Sequence, residues 1–150
     1  MGDGVDTGFF VRAAVAVVCG AIVGFERQLR GKPAGIRTST LVCLGTALFV
    51  YLGMFSQGPS VDPTRVLAQV ATGVGFLGAG VILNREGLVK GVTSAACIWI
   101  LAAIGAAIGM ERYALAIATS VVTVSVLVGV EWLEKGFKAL RRGVHSHESH

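Results

Sequence analysis

The chain has 150 residues, the size of one domain, with 53% hydrophobic and only 15% charged residues. A mean hydropathy of +0.71 is more than a soluble core of this size hides, which excludes an ordinary soluble domain and leaves a polytopic membrane protein. The net charge of +4 comes from basic residues beside apolar runs, without the interleaved aromatic residues of a base-stacking platform. The partner it implies is therefore the lipid bilayer and not nucleic acid.

Residues 1–6 are polar, with Asp3 and Asp6, and lack the positive start of a secretory signal, so the first apolar span, about Thr7 to Phe25, is expected to be retained. It carries Arg12 near its start, read as snorkelling to the outer interface or pairing with an acid such as Asp62. Near its end lies Gly20-x3-Gly24, a small-residue pair of the kind that lets helices approach in lipid. Glu26 to Thr38 is the most polar connection. A second span covers about Ser39 to Phe55, followed by turn residues at Gln57-Gly58-Pro59-Ser60. Asp62 as N-cap and Pro63 at the first helical position then open a third span that runs to Leu83.

This third span is the stretch on which the sequence centres the protein. Gly73, Gly75, Gly78 and Gly80 place four glycines in eight residues, and each costs a helix about 1 kcal/mol against alanine, so the density needs a packing reason. Ala71, Gly75 and Ala79 recur every four residues as a small-residue stripe. The stripe predicts a helix at the centre of the bundle in which Gly75→Leu disrupts assembly. Such a stripe serves an identical chain as readily as a different one, which admits homo-oligomerisation. Gln69 and Thr72, about one turn apart, are expected to face the interior, because an unpaired amide in hydrocarbon costs several kcal/mol. Gly73-x-Gly75-x2-Gly78 also fits a dinucleotide fingerprint. That motif requires a strand before it and an acid about 20 residues on, where this chain has Ala95-Ala96-Cys97.

After the turn cluster Asn84-Arg85-Glu86-Gly87, a fourth span runs from about Thr93 to Met110. Glu111-Arg112 is so short a link that the fifth span, about Tyr113 to Trp132, must be its antiparallel neighbour. Thr119, Ser120, Thr123 and Ser125 along the fifth span can bond their own helix or a neighbour. Residues 1–132 read as the transmembrane domain and 133–150 as a basic interfacial helix, with Lys135, Lys138, Arg141 and Arg142, followed by a solvated His-rich tail. Cys19, Cys43 and Cys97 fall inside spans without metal-ligand spacing and read as small buried hydrophobes. The fold class is all-α, a bundle of five transmembrane helices with a Gly-rich third helix. The excess of Lys and Arg on the first and third loops and the tail puts the amino terminus outside and the carboxyl terminus in the cytoplasm.

Four motifs then carry a family resemblance: Gly20-x3-Gly24-x-Glu26-Arg27; Ala34-Gly35-x-Arg37-Thr38; Asp62-Pro63-x-Arg65 with Gln69 and the glycine run to Gly80; and Gly91-x-Thr93-x-Ala95-Ala96-x2-Trp99. In that order, over residues 9 to about 132, the chain resembles the MgtC/SapB family, in its short SapB-like form without a carboxyl-terminal ACT-like domain. The resemblance implies a bacterial inner-membrane protein linked to growth in low magnesium and, in related members, to virulence. It implies a modulator of a membrane partner, the F-type ATP synthase among those described, and not a pump. Where this chain has Thr93, family members often have Asn.

Read from chemistry alone, Glu26, Arg27, Arg37 and Thr38 mark one membrane surface and Asp62 with Arg65 the other, as functional groups or as ion pairs closing helix ends. No cofactor, catalytic set or metal site is read from the sequence: the bundle holds no His and no Ser/His/Asp constellation, so the chain is not read as an enzyme. A transporter or channel for Mg2+ or another small solute is the alternative function. A bare divalent cation wants carboxylate oxygens, which the span interiors lack, whereas a hydrated pore lined by Gln69, Thr72 and glycine carbonyls fits the Gly-interrupted span.

Overall fold

The computed structural model describes residues 7–54, 64–85 and 88–144. They form helices α1 (Thr7–Leu29), α2 (Ile36–Met54), α3 (Thr64–Val81), α4 (Val92–Gly109) and α5 (Tyr113–Val144). A small antiparallel ribbon joins α3 to α4: β1 (Leu83–Arg85) pairs with β2 (Leu88–Lys90), Asn84 opposite Val89. Four helices are long and apolar enough to cross a membrane, α5 by its segment Tyr113–Leu133, and α3 is a shorter apolar helix. Large apolar side chains stand exposed around the bundle, among them Phe10, Val18, Phe25, Phe49, Phe76, Trp99 and Val122. In water that surface would be an aggregation site, and in a bilayer it is the lipid contact. The protein is a multi-pass, helical membrane protein.

Several element ends differ from the sequence expectation. α1 continues past Phe25 to Leu29, so Glu26 and Arg27 belong to its last turns and not to a loop, and both are buried there. It closes on Gly31 at φ 61°, with the Lys32 amide donating to the Arg27 carbonyl and the Gly31 amide to Gln28, the paired bonds of a Schellman cap. α5 runs unbroken to Val144, so the basic segment after Trp132 prolongs the last apolar helix. The Asp62-Pro63 cap, the Gln57–Ser60 turn and the His-rich tail lie outside the described residues.

The centre of the bundle is α4, not α3. α4 touches each of the other four helices, and 56% of it is buried against 11% of the apolar part of α5. Its sequence is apolar on every side, the composition of a helix enclosed by others. Its Leu101, Ile104 and Ile108 are fully buried with Ala16, Cys19 and Val23 of α1, Cys43 and Ala47 of α2 and Ala116 of α5. The three cysteines are free and buried, as small core residues.

Two Gly-x3-Gly pairs clamp α2 from either side. A Cβ on Gly20 would lie 2.7 Å from the Thr40 Cα, and one on Gly24 2.6 Å from the Ile36 Cα, so α1 and α2 run antiparallel with backbones in contact. A Cβ on Gly105 would lie 2.3 Å from the Cys43 carbonyl oxygen, and one on Gly109 2.7 Å from that of Ala47. Position therefore rises together along α2 and α4, and these helices are parallel. With no hydrophobic drive between helices in lipid, such close backbone packing is a main source of cohesion. Because α2 ends where α4 also ends, the chain between Met54 and Val92 returns along the bundle, and α3 follows that course. Its Val66 packs at Gly53 near the end of α2, and its Val81 at Gly91 before α4.

α3 meets α4 through Val70, Val74, Gly78 and Val81, with Val74 against Ile98 and Ala102 and Gly78 against Ala95, 3.6 Å from a Cβ placed there. Apart from Val66 at Gly53, most of the remaining α3 positions are exposed among the described residues. Ala71, Gly75 and Ala79 are exposed, and a Cβ on Gly73, Gly75 or Gly80 would meet nothing within 4 Å. In the single chain Gly75→Leu therefore enters open space and relieves a helix penalty of about 1 kcal/mol. Its thermal midpoint in detergent is expected to match or exceed that of the native chain, and a loss of folded protein would mean that the helix is packed.

Candidate functional site

Polar groups gather at the two ends of the bundle. At the end where α1 finishes and α4 begins, Glu26 and Arg27 are 7% and 3% exposed. Arg30, one turn after Glu26, pairs with the Glu26 carboxylate and with Glu131, which ties α1 to α5. Arg27 donates from Nη2 to the Ser94 hydroxyl at 2.5 Å, which ties α1 to α4. A second carboxylate oxygen of Glu26 and the Nε of Arg27 have no hydrogen-bond partner among the described residues. Arg27, Arg30, Ser94 and Glu131 border a cavity of about 750 Å³ walled also by Lys32, Lys90, Gly91 and Thr93.

The opposite end holds Arg12, 8% exposed. It donates to Glu111, and its guanidinium lies over the Tyr51 ring at 4.3 Å from the centroid. So Arg12 is enclosed by the chain, and its partner among the described residues is Glu111, while Asp62 lies outside them. Glu111 sits in the left-handed region at φ 60°. It is held there by a second Schellman cap: Arg112 N–H bonds to the Ala107 carbonyl and Glu111 N–H to that of Ile108. That conformation costs a non-glycine residue roughly 1–2 kcal/mol, and here it delivers the carboxylate to Arg12.

Among the sequence candidates, Glu26 and Arg27 come together with Ser94, and Thr93 stands beside them on the cavity wall. Arg37 and Thr38 are exposed at the start of α2 and stand apart from the ion pairs found among the described residues at that end. Gln69 and Thr72, expected inside, are both exposed. Thr72 needs no interior partner because its hydroxyl bonds the Ala68 carbonyl of its own helix at 2.9 Å. Thr119, Ser120, Thr123 and Ser125 do the same along α5. Arg65 and Gln69 instead line an apolar groove of about 460 Å³ between α3 and Phe49 of α2.

Arg30, Ser94, Glu131 and Glu111 are the polar partners that the sequence reading did not single out. Arg30 stands one helical turn beyond Glu26, a spacing legible as an ion pair. Glu131 and Glu111 become partners only once the fifth helix folds back on the first. Gly105 and Gly109 repeat the four-residue spacing of Gly20 and Gly24 and carried a signal of the same kind.

The MgtC family model matches residues 14–136. The chain is 47% identical over 127 residues to "Putative magnesium transporter YhiD" of Escherichia coli K12, covering 79% of this chain and 59% of that protein. It is 42% identical over 134 residues to Protein MgtC of Brucella abortus strain 2308, covering 87% and 55%. It is 39% identical over 152 residues to Protein SrpB of Synechococcus elongatus, covering 89% and 84%. The chain thus spans a little over half the length of the YhiD and MgtC proteins and most of SrpB. No solved structure matches it. A match across most of the described helices, with relatives above 40% identity, makes this chain a member of the MgtC family.

Proposed function

We propose that the chain is a docking protein of the bacterial inner membrane that presents α3 to another membrane protein and modulates it during adaptation to low magnesium or host-like stress. The observation that supports this is the uncovered α3. Its glycines weaken the helix by about 1 kcal/mol each, and a Cβ added at 73, 75 or 80 would meet nothing within 4 Å among the described residues. Gln69 is exposed on the same helix, where an unpaired amide facing lipid costs several kcal/mol. A partner helix seated on α3 would gain close backbone contact and satisfy the amide. By family resemblance the F-type ATP synthase is a candidate partner, and a second copy of the chain fits the same stripe.

The reading includes five membrane passes. With 18 residues α3 measures about 27 Å at 1.5 Å per residue, close to the hydrocarbon thickness of about 30 Å. Arg27, Arg30, Lys32, Arg37, Arg85 and Lys90 lie toward one end in chain order, against Arg12, Arg65 and Arg112 toward the other. This bias favours a cytoplasmic basic end, an external amino terminus and a cytoplasmic carboxyl terminus.

Magnesium transport is the second reading, favoured by the name of the YhiD relative. The core of the single chain is Ala, Cys, Val, Leu and Ile, and among the described residues no three His, Cys, Asp or Glu side chains converge. A path for a hydrated ion would therefore run between copies, along Gln69 and Thr72. Flux in purified proteoliposomes separates the readings. Docking predicts Mg2+ entry no faster than in empty liposomes and unchanged by Gln69→Leu; flux that Gln69→Leu abolishes would establish transport.

A further inference from the structure

The cavity at the basic end has a surplus of positive charge among the described residues. Four cations, Arg27, Arg30, Lys32 and Lys90, border it with one carboxylate, Glu131, and Glu26 stands behind, paired with Arg30. Arg30 spans both acids. Lys32 and Lys90 are exposed and have no ion-pair partner among the described residues.

Two independent features aim at the same space. α4 begins there on Gly91, in a left-handed conformation and without a side-chain cap, and Gly91, Thr93 and Ser94 line the cavity, which sets the uncapped, positive end of the helix dipole at its wall. Arg27, 3% exposed, lines the wall, spends Nη2 on Ser94 and keeps Nε without a partner among the described residues. A guanidinium held this far from water is costly until an anion joins it, and its planar fork suits phosphate oxygens. The far wall is apolar, formed by Val126 and Val130 of α5.

We propose that this cavity binds the phosphate group of a larger, partly apolar molecule, gripped by Arg27, Lys32, Lys90 and the α4 amides. A volume of about 750 Å³ falls within the range of about 300–1,000 Å³ typical of small-molecule sites. The phosphate reaches it either as the headgroup of an anionic lipid or on a soluble molecule.

The test uses the whole chain, delipidated in a neutral maltoside detergent. Thermal shift and native mass spectrometry follow titration with phosphatidylglycerol in one arm and inorganic phosphate in the other, with diacylglycerol as the uncharged control. Saturable binding of one molecule per chain is expected in at least one arm: phosphatidylglycerol alone identifies a lipid headgroup, and inorganic phosphate identifies a soluble source. Lys32→Ala/Lys90→Ala is expected to weaken binding at least tenfold, while Arg65→Ala/Arg112→Ala, which removes the same charge from exposed residues outside the cavity lining, leaves it within twofold. Lys90→Glu alone gives the same loss if the double variant is unstable. Absence of saturable binding in both arms by folded protein, or equal weakening by the two double variants, overturns the proposal.

Discussion

Gly105→Ala is expected to break the α2–α4 contact and leave the bundle poorly folded. The added methyl would sit 2.3 Å from the Cys43 carbonyl oxygen and 2.8 Å from the Thr46 Cβ. Neither is the free end of a flexible chain, so two helix axes must separate along a seam that also holds Cys43, Ala47 and Ile104. Overpacking of this kind costs typically 1–3 kcal/mol and sometimes more, and the gain of about 1 kcal/mol in helix propensity offsets only part of it. Gly129→Ala is the internal comparison, because a Cβ at Gly129 meets nothing within 4 Å. Thermal unfolding in detergent should show a lowered midpoint for Gly105→Ala and an unchanged or raised one for Gly129→Ala. Equal midpoints would mean that α2 and α4 are not in backbone contact.

Arg30→Ala is expected to be about as damaging, for an electrostatic reason. It strips the cation from Glu26, whose side chain is 8% exposed, and leaving one buried partner of an ion pair alone costs about 3–5 kcal/mol. The outer contact with Glu131 matters less, since that carboxylate is 35% exposed and water screens it. The damage should therefore be rescued by Glu26→Gln in the same chain, which removes the stranded charge, and not by Glu131→Gln. Recovery of folded yield with Glu131→Gln alone would show that the outer pair dominates.

The chain's five helices were legible because apolar length and turn residues are local properties, and the buried cysteines and the Gly20-x3-Gly24 contact followed from the same signals. The identity of the central helix was not. α3 and α4 are both apolar and rich in small residues, and composition does not say which of two such helices has neighbours on every side. The expectation for Thr72 failed because a hydroxyl can satisfy itself on its own helix. Arg12 found Glu111 at a separation of 99 residues, a pairing set by how α1 lies against the α4–α5 turn and by the left-handed backbone at Glu111. Charge at a helix end shows that a partner is needed without saying which element brings it.

In the docking reading, α3 is covered by another protein in the membrane. A photo-activated cross-linking residue at Gly73 or Gly75, in cells making the chain at native levels, measures this directly. Val18 on α1 and Leu41 on α2, 57% and 67% exposed, serve as lipid-facing controls. The docking reading predicts protein cross-links from α3 that Gly75→Leu suppresses when the probe is at Gly73, with little from the controls. Lipid adducts alone at all four positions would contradict it.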